Sequence, residues 1–221
     1  MRTFRMLKKF VAMGVVMVMA VGFLGAAEYS KKMVEMTDML FDAISKNDIA
    51  QAEFAIKDGA NLKATRFDNG VTPLIYAIER NRNKIVELLI QSKADINAKD
   101  IGNKGRTPLL WAIYYRYEEK DNVSIITALI NAGVDVNIQD NDGKTALIYA
   151  AEQTDESLVD FLIGPKTNVN IRTKDGMTAL GIVVRNKNND PPRFINQDIY
   201  ITSGKPYDEV IKLLKDAGAV E

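Results

Sequence analysis

The sequence contains no cysteine and no histidine. Without a thiol, the protein forms no disulfide, uses no cysteine nucleophile and offers no cysteine for lipoprotein acylation. Without an imidazole, it lacks the side chain that most often serves as general base and as metal ligand. Basic and acidic residues balance at 29 each, so no positive charge excess favours a nucleic-acid partner. We therefore expect no cofactor, no metal and no nucleic acid, with a stability that depends on packing.

The first 27 residues have the composition of an export signal. Four basic residues precede an apolar run at 10–24, and the small residues Gly25, Ala26 and Ala27 follow it. This order is typical of a cleaved signal peptide. The 15-residue run is shorter than the roughly 20 residues that a membrane-spanning helix needs. We expect cleavage near Ala27 and a periplasmic or secreted protein. The alternative is an uncleaved segment that anchors the chain to the membrane.

Four related phrases recur along the rest of the chain. They align on four threonines, Thr72, Thr107, Thr145 and Thr178. The spacings of 35, 38 and 33 residues indicate stacked supersecondary units. Each phrase is followed by a second apolar run that ends in a turn, for example IITALINAGVDVN at 125–137. One more copy, AEFAIKDGANL at 52–62, lies upstream, which gives about five helix pairs.

Both runs of each unit carry signals for the ends of helices. The threonine is a good N-cap, and Pro73 and Pro108 stand at the first helical position, where a missing N–H costs nothing. In three copies the second run ends at a glycine, namely Gly59, Gly133 and Gly218. Lys93 and Lys166 take that place in the other two copies, where we expect weaker caps.

These phrases resemble the ankyrin repeat. The resemblance covers residues 34–221 and is clearest in DNDGKTALIYA at 140–150 and FLIGPKTNVN at 161–170. It implies an all-α solenoid of about five helix-pair repeats joined by β-turn or hairpin tips, elongated and curved. In this family a histidine normally ties neighbouring repeats together by hydrogen bonds. Here that position holds Ile75, Leu110, Ile148 and Gly181, so we expect a different tie.

The chain divides into three parts on this interpretation. They are a signal peptide at 1–27, an N-terminal capping helix pair at 28–62 and ankyrin-like repeats at 63–221. The repeat units are 63–97, 98–137, 138–170 and 171–221. The last unit is lengthened by an insert at about 187–206, where FINQDIYIT alternates enough to predict a short extended segment. The insert is either a tolerated surface loop or a loop that contacts a partner or covers a pocket.

The resemblance implies that a protein partner binds the inner helices and the turn tips. Residues two positions beyond each buried leucine are expected to point away from the core. With the residues one turn later, they give the candidates Tyr76, Arg80, Trp111, Tyr115, Tyr149 and Gln153. The tips add Phe67, Asn69, Lys104, Arg106, Asn141, Asp142, Lys144, Lys174 and Met177. Aromatic residues and arginine are favoured at interfaces. The alternative is that the aromatic rings only stabilise neighbouring repeats.

No grouping of carboxylates, lysines or tyrosines indicates catalysis, so we expect no enzyme. By analogy with the family, we expect an exported, monomeric scaffold that binds a protein through the concave inner-helix face and the tips. One alternative is an envelope-protecting or chaperone-like structural protein with broad, weak partners. Another is a small-molecule-binding or catalytic protein with a pocket under the insert at 187–206.

The export hypothesis predicts where the mature chain begins. We expect the exported protein to start near Glu28, because Gly25, Ala26 and Ala27 supply the small residues that a signal peptidase accepts. Intact-mass measurement or N-terminal sequencing of the exported protein checks this start. A mature chain that still begins at Met1 would contradict the hypothesis.

Overall fold

The computed structural model describes most of the chain beyond the signal-like segment. The described residues are 28–66, 70–102, 104–116, 122–189, 193–196, 199–201 and 206–220. The signal segment 1–27 and the candidates Phe67 and Asn69 lie outside them. The chain forms two compact units, the first ending at Leu62 and the second beginning at Lys63. Among the described residues, no helix combines the length and the apolar character needed to cross a membrane.

The first unit is a helix pair. Helix α1 includes residues 28–46, and α2 covers Ile49–Lys57. Its core contains Leu40, Phe41 and Ile44, each no more than 2% exposed. A side-chain oxygen of Asp48 accepts the Gln51 N–H at 2.9 Å and thereby caps the start of α2. The unit is therefore closed by apolar packing and a conventional cap.

The second unit contains four further helix pairs in its described part. The first helices of the pairs, called inner helices, are α3 (Pro73–Glu79), α5 (Pro108–Arg116), α7 (Ala146–Gln153) and α9 (Ala179–Asn189). The second, called outer helices, are α4 (Asn83–Gln91), α6 (Val123–Asn131), α8 (Glu156–Leu162) and α10 (Tyr207–Asp216). Each inner helix packs on its own outer helix, and α3, α5 and α7 each also pack on the inner helix of the next repeat. The helical repeat architecture predicted from the phrases is thus confirmed.

The inner helices begin at the predicted threonines. Each threonine hydroxyl accepts the backbone N–H of the residue three positions further on, with a nitrogen–oxygen distance of 3.1 to 3.4 Å. The four threonines are Thr72, Thr107, Thr145 and Thr178. Lys93 adopts a positive φ of 65°, which is the conformation that a glycine usually supplies after a helix. Lys166 does not adopt a positive φ, so the weaker cap expected at this position is not of the left-handed kind. Helix α8 already ends at Leu162, because Pro165 disfavours a helical conformation at Gly164.

Asparagines that follow the outer helices tie neighbouring repeats together. The side-chain oxygen of each asparagine accepts a backbone N–H of the next repeat at 2.8 to 3.0 Å. Asn97 accepts from Asp135, Asn137 from Asn168, and Asn170 from Val220. Asn137 and Asn170 also donate their side-chain amides to carbonyls of the next repeat, at 2.8 and 3.1 Å. This asparagine ladder ties repeats that lack the histidine of the family pattern.

The turn tips between repeats stack on one another. The N–H of Asn141 donates to the carbonyl of Lys104 at 2.7 Å, and the N–H of Lys174 donates to the carbonyl of Asp142 at 3.0 Å. Close approach requires glycine in the tip. A Cβ atom on Gly143 would lie 2.8 Å from the backbone nitrogen of Lys174. The tips are therefore joined by backbone hydrogen bonds as well as by the packing of the helices.

The insert in the last repeat contains a β-hairpin. Strand β1 (Arg193–Asn196) pairs antiparallel with β2 (Ile199–Ile201), and the register is irregular between Phe194 and Asn196. This confirms the extended segment predicted from the alternating sequence. Helix α9 extends to Asn189. The residues of the insert at 190–192, 197–198 and 202–205 lie outside the described part of the chain.

The asparagine ladder predicts a measurable loss of stability on substitution. Asn137→Ala removes one acceptor and one donor between repeats, so we expect the free energy of unfolding to fall by about 1–2 kcal/mol. Urea denaturation followed by circular dichroism measures this change. Asn131→Ala, at the exposed end of α6, is the matched control and should stay within about 0.5 kcal/mol of the wild type. Equal midpoints for the two variants would contradict a stabilising role for the ladder.

Candidate functional site

Three aromatic side chains cluster on inner helix α5. The aromatic cluster consists of Trp111, Tyr114 and Tyr115, all half-buried. The rings of Trp111 and Tyr115 stack with centroids 5.4 Å apart, and Tyr114 meets both rings edge-on at 5.9 and 5.5 Å. Helical spacings of three and four residues place these side chains side by side. The cluster therefore offers a broad, partly exposed aromatic surface.

A buried arginine lies beneath the cluster. Arg106, from the tip that precedes α5, is only 8% exposed. Its guanidinium carbon is 4.0 Å from the ring centroid of Tyr114 and 5.0 Å from that of Trp111, which are distances typical of cation–π contacts. Its Nε–H donates to the Tyr149 hydroxyl of the next repeat at 3.3 Å. Arg106 thus connects the aromatic cluster to the neighbouring inner helix.

The carboxylate of Asp100 fixes the tryptophan ring. Asp100 is 5% exposed and accepts the indole N–H of Trp111 at 2.7 Å through one oxygen. The other oxygen accepts the N–H of Gly105 at 2.9 Å and so shapes the tip. One side chain therefore sets both the tip conformation and the orientation of the indole.

The next repeat uses the same arrangement with a tyrosine. Asp140, also 5% exposed, accepts the hydroxyl of Tyr149 at 2.7 Å. Its second oxygen accepts the N–H groups of Asp142 and Lys144, both at 2.9 Å. Burial, and then the hydrogen bond to Asp140, raise the pKa of Tyr149 far above its ordinary value of 10.0. Tyr149 is therefore a neutral donor at physiological pH.

Ion pairs surround this network at the surface. The Lys104 ammonium lies 2.9 Å from a carboxylate oxygen of Asp142 and thus joins two successive tips. The hydrogen bond and the charge of Lys104 lower the pKa of Asp142 below its ordinary value. Lys144 pairs with Glu152 at 2.7 Å and also lies 5.5 Å from the ring centroid of Tyr149. Lys104, Asp142 and Lys144 of the tips are therefore already paired.

Burial separates the predicted partner contacts into two groups. Tyr76, Arg106 and Tyr149 are buried, at 6%, 8% and 8% exposed, so the structure packs these side chains within the repeats, and partner contact through them stays a prediction. The Arg106 tip contacts Tyr149, and the Arg80 guanidinium lies 5.2 Å from the ring centroid of Tyr76. The half-buried candidates are Trp111, Tyr115, Asp142, Lys144 and Met177, and the exposed ones are Arg80, Lys104, Asn141, Gln153 and Lys174. For both of these sets, partner contact stays a prediction.

Three residues of the site are absent from the predicted set. Asp100 and Asp140 stand before the tips, where an acidic residue suggests only a turn former. Each also accepts a hydrogen bond from an aromatic side chain further along the chain. Tyr149 follows Asp140 by nine residues, and Trp111 follows Asp100 by eleven. Tyr114 follows Trp111 by three residues, and this helical spacing is the signal that would have found it.

Comparison with known proteins identifies the repeats. A family model described as ankyrin repeats (3 copies) matches residues 40–120 and 118–195, which is more than half of the chain. The chain belongs to the ankyrin repeat family. Ankyrin repeats indicate a scaffold for protein–protein interaction, and the family is generally non-catalytic. Among the described residues, no three acidic side chains come together in a way that could hold a metal ion.

Individual ankyrin repeat proteins match about half of the chain. Ankyrin repeat and SOCS box protein 6 of Mus musculus is 36% identical over 104 residues, which cover 47% of this chain and 24% of that protein. Alpha-latrotoxin-Lg1a of Latrodectus geometricus is 34% identical over 112 residues, 50% of this chain and 8% of the toxin. ANK repeat-containing protein nipk-1 of Caenorhabditis elegans is 33% identical over 126 residues, 52% and 20% respectively. The chain thus spans a quarter or less of these relatives.

The network predicts a stability loss for the removal of one hydroxyl. Tyr149→Phe keeps the ring but leaves buried Asp140 without its phenolic donor, so we expect the free energy of unfolding to fall by about 1–3 kcal/mol. Urea denaturation measures this change in the free energy of unfolding. Tyr29→Phe, at a side chain in α1 that is 69% exposed, is the control and should be neutral. A Tyr149→Phe variant as stable as the wild type would contradict the importance of this bond.

The raised pKa of Tyr149 predicts a specific alkaline sensitivity. The folded protein holds the neutral phenol more tightly than the unfolded chain, whose tyrosines ionise near 10.0. The contribution of Tyr149 to the free energy of unfolding is therefore fully present below pH 10 and is lost as the pH rises beyond that value. We expect the wild type to lose more stability than Tyr149→Phe when denaturation is repeated above pH 10. Parallel losses in the two proteins would refute the assignment.

Proposed function

We propose that this chain is a non-enzymatic, exported scaffold that binds one protein partner at the aromatic cluster and the adjacent tips. The observation that carries the proposal is the exposed part of Trp111, Tyr114 and Tyr115 held over buried Arg106. Aromatic side chains at the centre of an interface contribute a large share of binding energy. Export is proposed from the signal pattern in residues 1–27.

The cluster is preorganised, which favours tight binding. Trp111 is held by the 2.7 Å hydrogen bond to Asp100 and by stacking on Tyr115. Side chains that are already fixed lose little conformational entropy when a partner covers them. A partner with an apolar or aromatic protrusion would therefore bury the rings without reorganising them.

The tips supply the polar rim of the same face. Lys104, Asn141 and Lys174 are exposed there. The pair of Lys104 and Asp142 leaves each side chain 47% exposed, so we expect it to guide association more than to add affinity. An aromatic centre with a charged rim is the usual anatomy of a protein interface. Such a defined patch favours one partner over a broad set of weak ones.

Crosslinking in the compartment to which the chain is exported tests the proposal. The variant Trp111→Ala with Tyr115→Ala should recover about tenfold less of the partner than the wild type, because central aromatic residues dominate binding. Tyr115→Ala alone retains the bond between Trp111 and Asp100 and should give a smaller loss. Mass spectrometry of the crosslinked products measures the recovery, and melting temperatures confirm that the variants are folded.

A matched control removes apolar surface elsewhere in the second unit. Val123→Ala with Phe161→Ala trims side chains on the outer helices that are 47% and 46% exposed. This variant should recover the partner as the wild type does. Equal recovery by the aromatic-cluster variant would reject the proposed face. Recovery of many unrelated proteins by all variants would instead favour a chaperone-like role.

A further inference from the structure

The turn between α7 and α8 holds a threonine in the left-handed backbone region. Thr154 has a φ of 56° and a ψ of 37°. The turns between α1 and α2 and between α3 and α4 place Asn47 and Asn81 in the same region, at φ values of 58° and 54°. Asparagine visits this region readily, whereas a β-branched residue is an outlier there. The α7–α8 turn therefore carries backbone strain that the two asparagine turns avoid.

The three turns share one pattern of backbone hydrogen bonds. The residue in the left-handed region donates its N–H to the carbonyl three residues earlier, and the next residue donates to the carbonyl five residues before itself. The six nitrogen–oxygen distances lie between 2.9 and 3.3 Å. The turns thus differ in the side chain at this position and not in the path of the backbone, so Asn47 and Asn81 are direct references for Thr154.

The hydroxyl of Thr154 adds a second cost. Thr154 is 4% exposed, and its side-chain oxygen has no hydrogen-bond partner among the described residues. A buried hydroxyl without a partner destabilises the fold, because it has lost its hydrogen bonds to water. Asn47 and Asn81 are exposed to solvent, so their side chains do not carry this cost.

The end of α8 lacks the cap that closes the other three outer helices. After α4, α6 and α10, one residue has a positive φ and the next donates its N–H back to a helix carbonyl at 2.9 to 3.2 Å, which is the Schellman arrangement. After α8, Ile163 is extended at a φ of −69° and a ψ of 120°, and the carbonyl of Leu162 accepts the hydroxyl of Thr167 at 2.6 Å. With seven residues, α8 is also shorter than α4 and α6, which have nine each, and than α10, which has ten.

The packing between outer helices is interrupted beside α8. Helix α4 packs on α6, and α8 packs on α10. Between α6 and α8, an open cleft of about 290 Å³ lies instead, to which Val123, Ile126, Leu158 and Phe161 contribute. Val123 and Phe161 are exposed as a consequence. Among the described helices, α8 therefore packs closely on an outer helix on one side only.

One carboxylate holds the start of α8. Asp155 accepts the N–H of Leu158 at 3.0 Å through one oxygen and the Nε–H of Arg116 at 3.0 Å through the other. The first bond caps α8, and the second joins its start to the end of α5. These bonds oppose the strain in the turn that precedes them. The folded form of α8 is therefore closer in free energy to an open form than are the folded forms of the other outer helices.

We propose that α8 is a release element, which unfolds locally and reversibly while the other helices of the second unit stay folded. Opening lets Thr154 leave the left-handed region and exposes its hydroxyl to water. It also separates Arg116 from Asp155. A repeat protein permits such local opening because each element contacts only its neighbours. The open form exposes Leu158 and Leu162, which are buried in the closed form, so the array gains an apolar surface beside α6.

Hydrogen–deuterium exchange of the full chain, followed by NMR or mass spectrometry, tests the proposal. The amides of α8 should exchange about tenfold faster than those of α4, α6 and α10 after correction for intrinsic rates, since strain at one residue shifts an opening equilibrium by this order. These three helices are internal references because they lie in the same unit as α8.

Two substitutions at Thr154 separate the sources of the instability. Thr154→Gly removes both the strain and the hydroxyl, so it should slow the exchange of α8 by about tenfold. Thr154→Val keeps the shape and the strain of a β-branched residue and removes only the hydroxyl, so its slowing should be smaller. Both variants should leave the exchange of α4 as it is in the wild type.

The turn between α3 and α4 provides a reciprocal variant and a matched control. Asn81→Thr transfers the strain to this turn and should speed the exchange of α4 by about fivefold. Asn81→Gly should change that exchange by no more than about twofold, because asparagine already suits the left-handed region.

Exchange of α8 at the same rate as α6 and α10 would overturn the proposal, and so would an unchanged rate in Thr154→Gly. If glycine speeds exchange throughout the second unit, because it leaves a space at a buried position, Thr154→Asn decides. It installs the side chain of the reference turns, and exchange in α8 no slower than in the wild type would reject the release element. The measurement needs no partner, so its outcome is separate from the fate of the proposed function.

Discussion

Every inner helix of the second unit buries apolar residues against a neighbouring repeat, because one helix pair has too little surface to enclose a core. Leu109 and Leu110 are each only 1% exposed although they are adjacent in sequence, which requires packing on more than one side of α5. Stability is consequently shared between repeats. The threonine caps, the stacked tips and the asparagine ladder all fix the distance and orientation at which this shared packing takes place.

The buried charges of the site depend on that packing. Asp100, Arg106 and Asp140 are each less than a tenth exposed, and the removal of a charge from water is costly unless hydrogen bonds replace the lost hydration. Both carboxylates receive such bonds on both oxygens, from tip N–H groups and from an aromatic donor. The result is a tip, an inner helix and a neighbouring repeat fixed to one another. A surface assembled in this way is suited to recognition because it does not have to form when the partner arrives.

Local features of the sequence predicted much of the fold. A cap such as Thr145, or a proline at the first helical position such as Pro73, acts within one turn of the chain. Its effect can therefore be predicted from the sequence. The absence of a left-handed cap at Lys166 has an equally local cause, because Pro165 changes where α8 ends. The asparagine ladder is different. The role of Asn97 is apparent only from the structure, in which its side-chain oxygen lies 3.0 Å from the backbone nitrogen of Asp135 in the next repeat.

The candidate site was harder to predict because its geometry depends on contacts between repeats. Helical periodicity shows which side of a helix faces its own partner, but not which side a neighbouring repeat covers. Tyr149 is buried for this reason, since Arg106 of the preceding tip lies against it. The pairing of Asp140 with Tyr149 likewise depends on how the tip folds back on its helix. What remained visible in the sequence was the type of residue, an aromatic side chain at a repeated position.

Trp111 is the single tryptophan of the chain, and it lies within the aromatic cluster. Its indole is half-buried, donates to a carboxylate and stacks on a tyrosine, so its emission depends on the local field and on nearby quenching groups. The intrinsic tryptophan fluorescence of the whole protein therefore originates from one place on α5. It is a built-in optical reporter of that face, free of any contribution from the helix pair of the first unit.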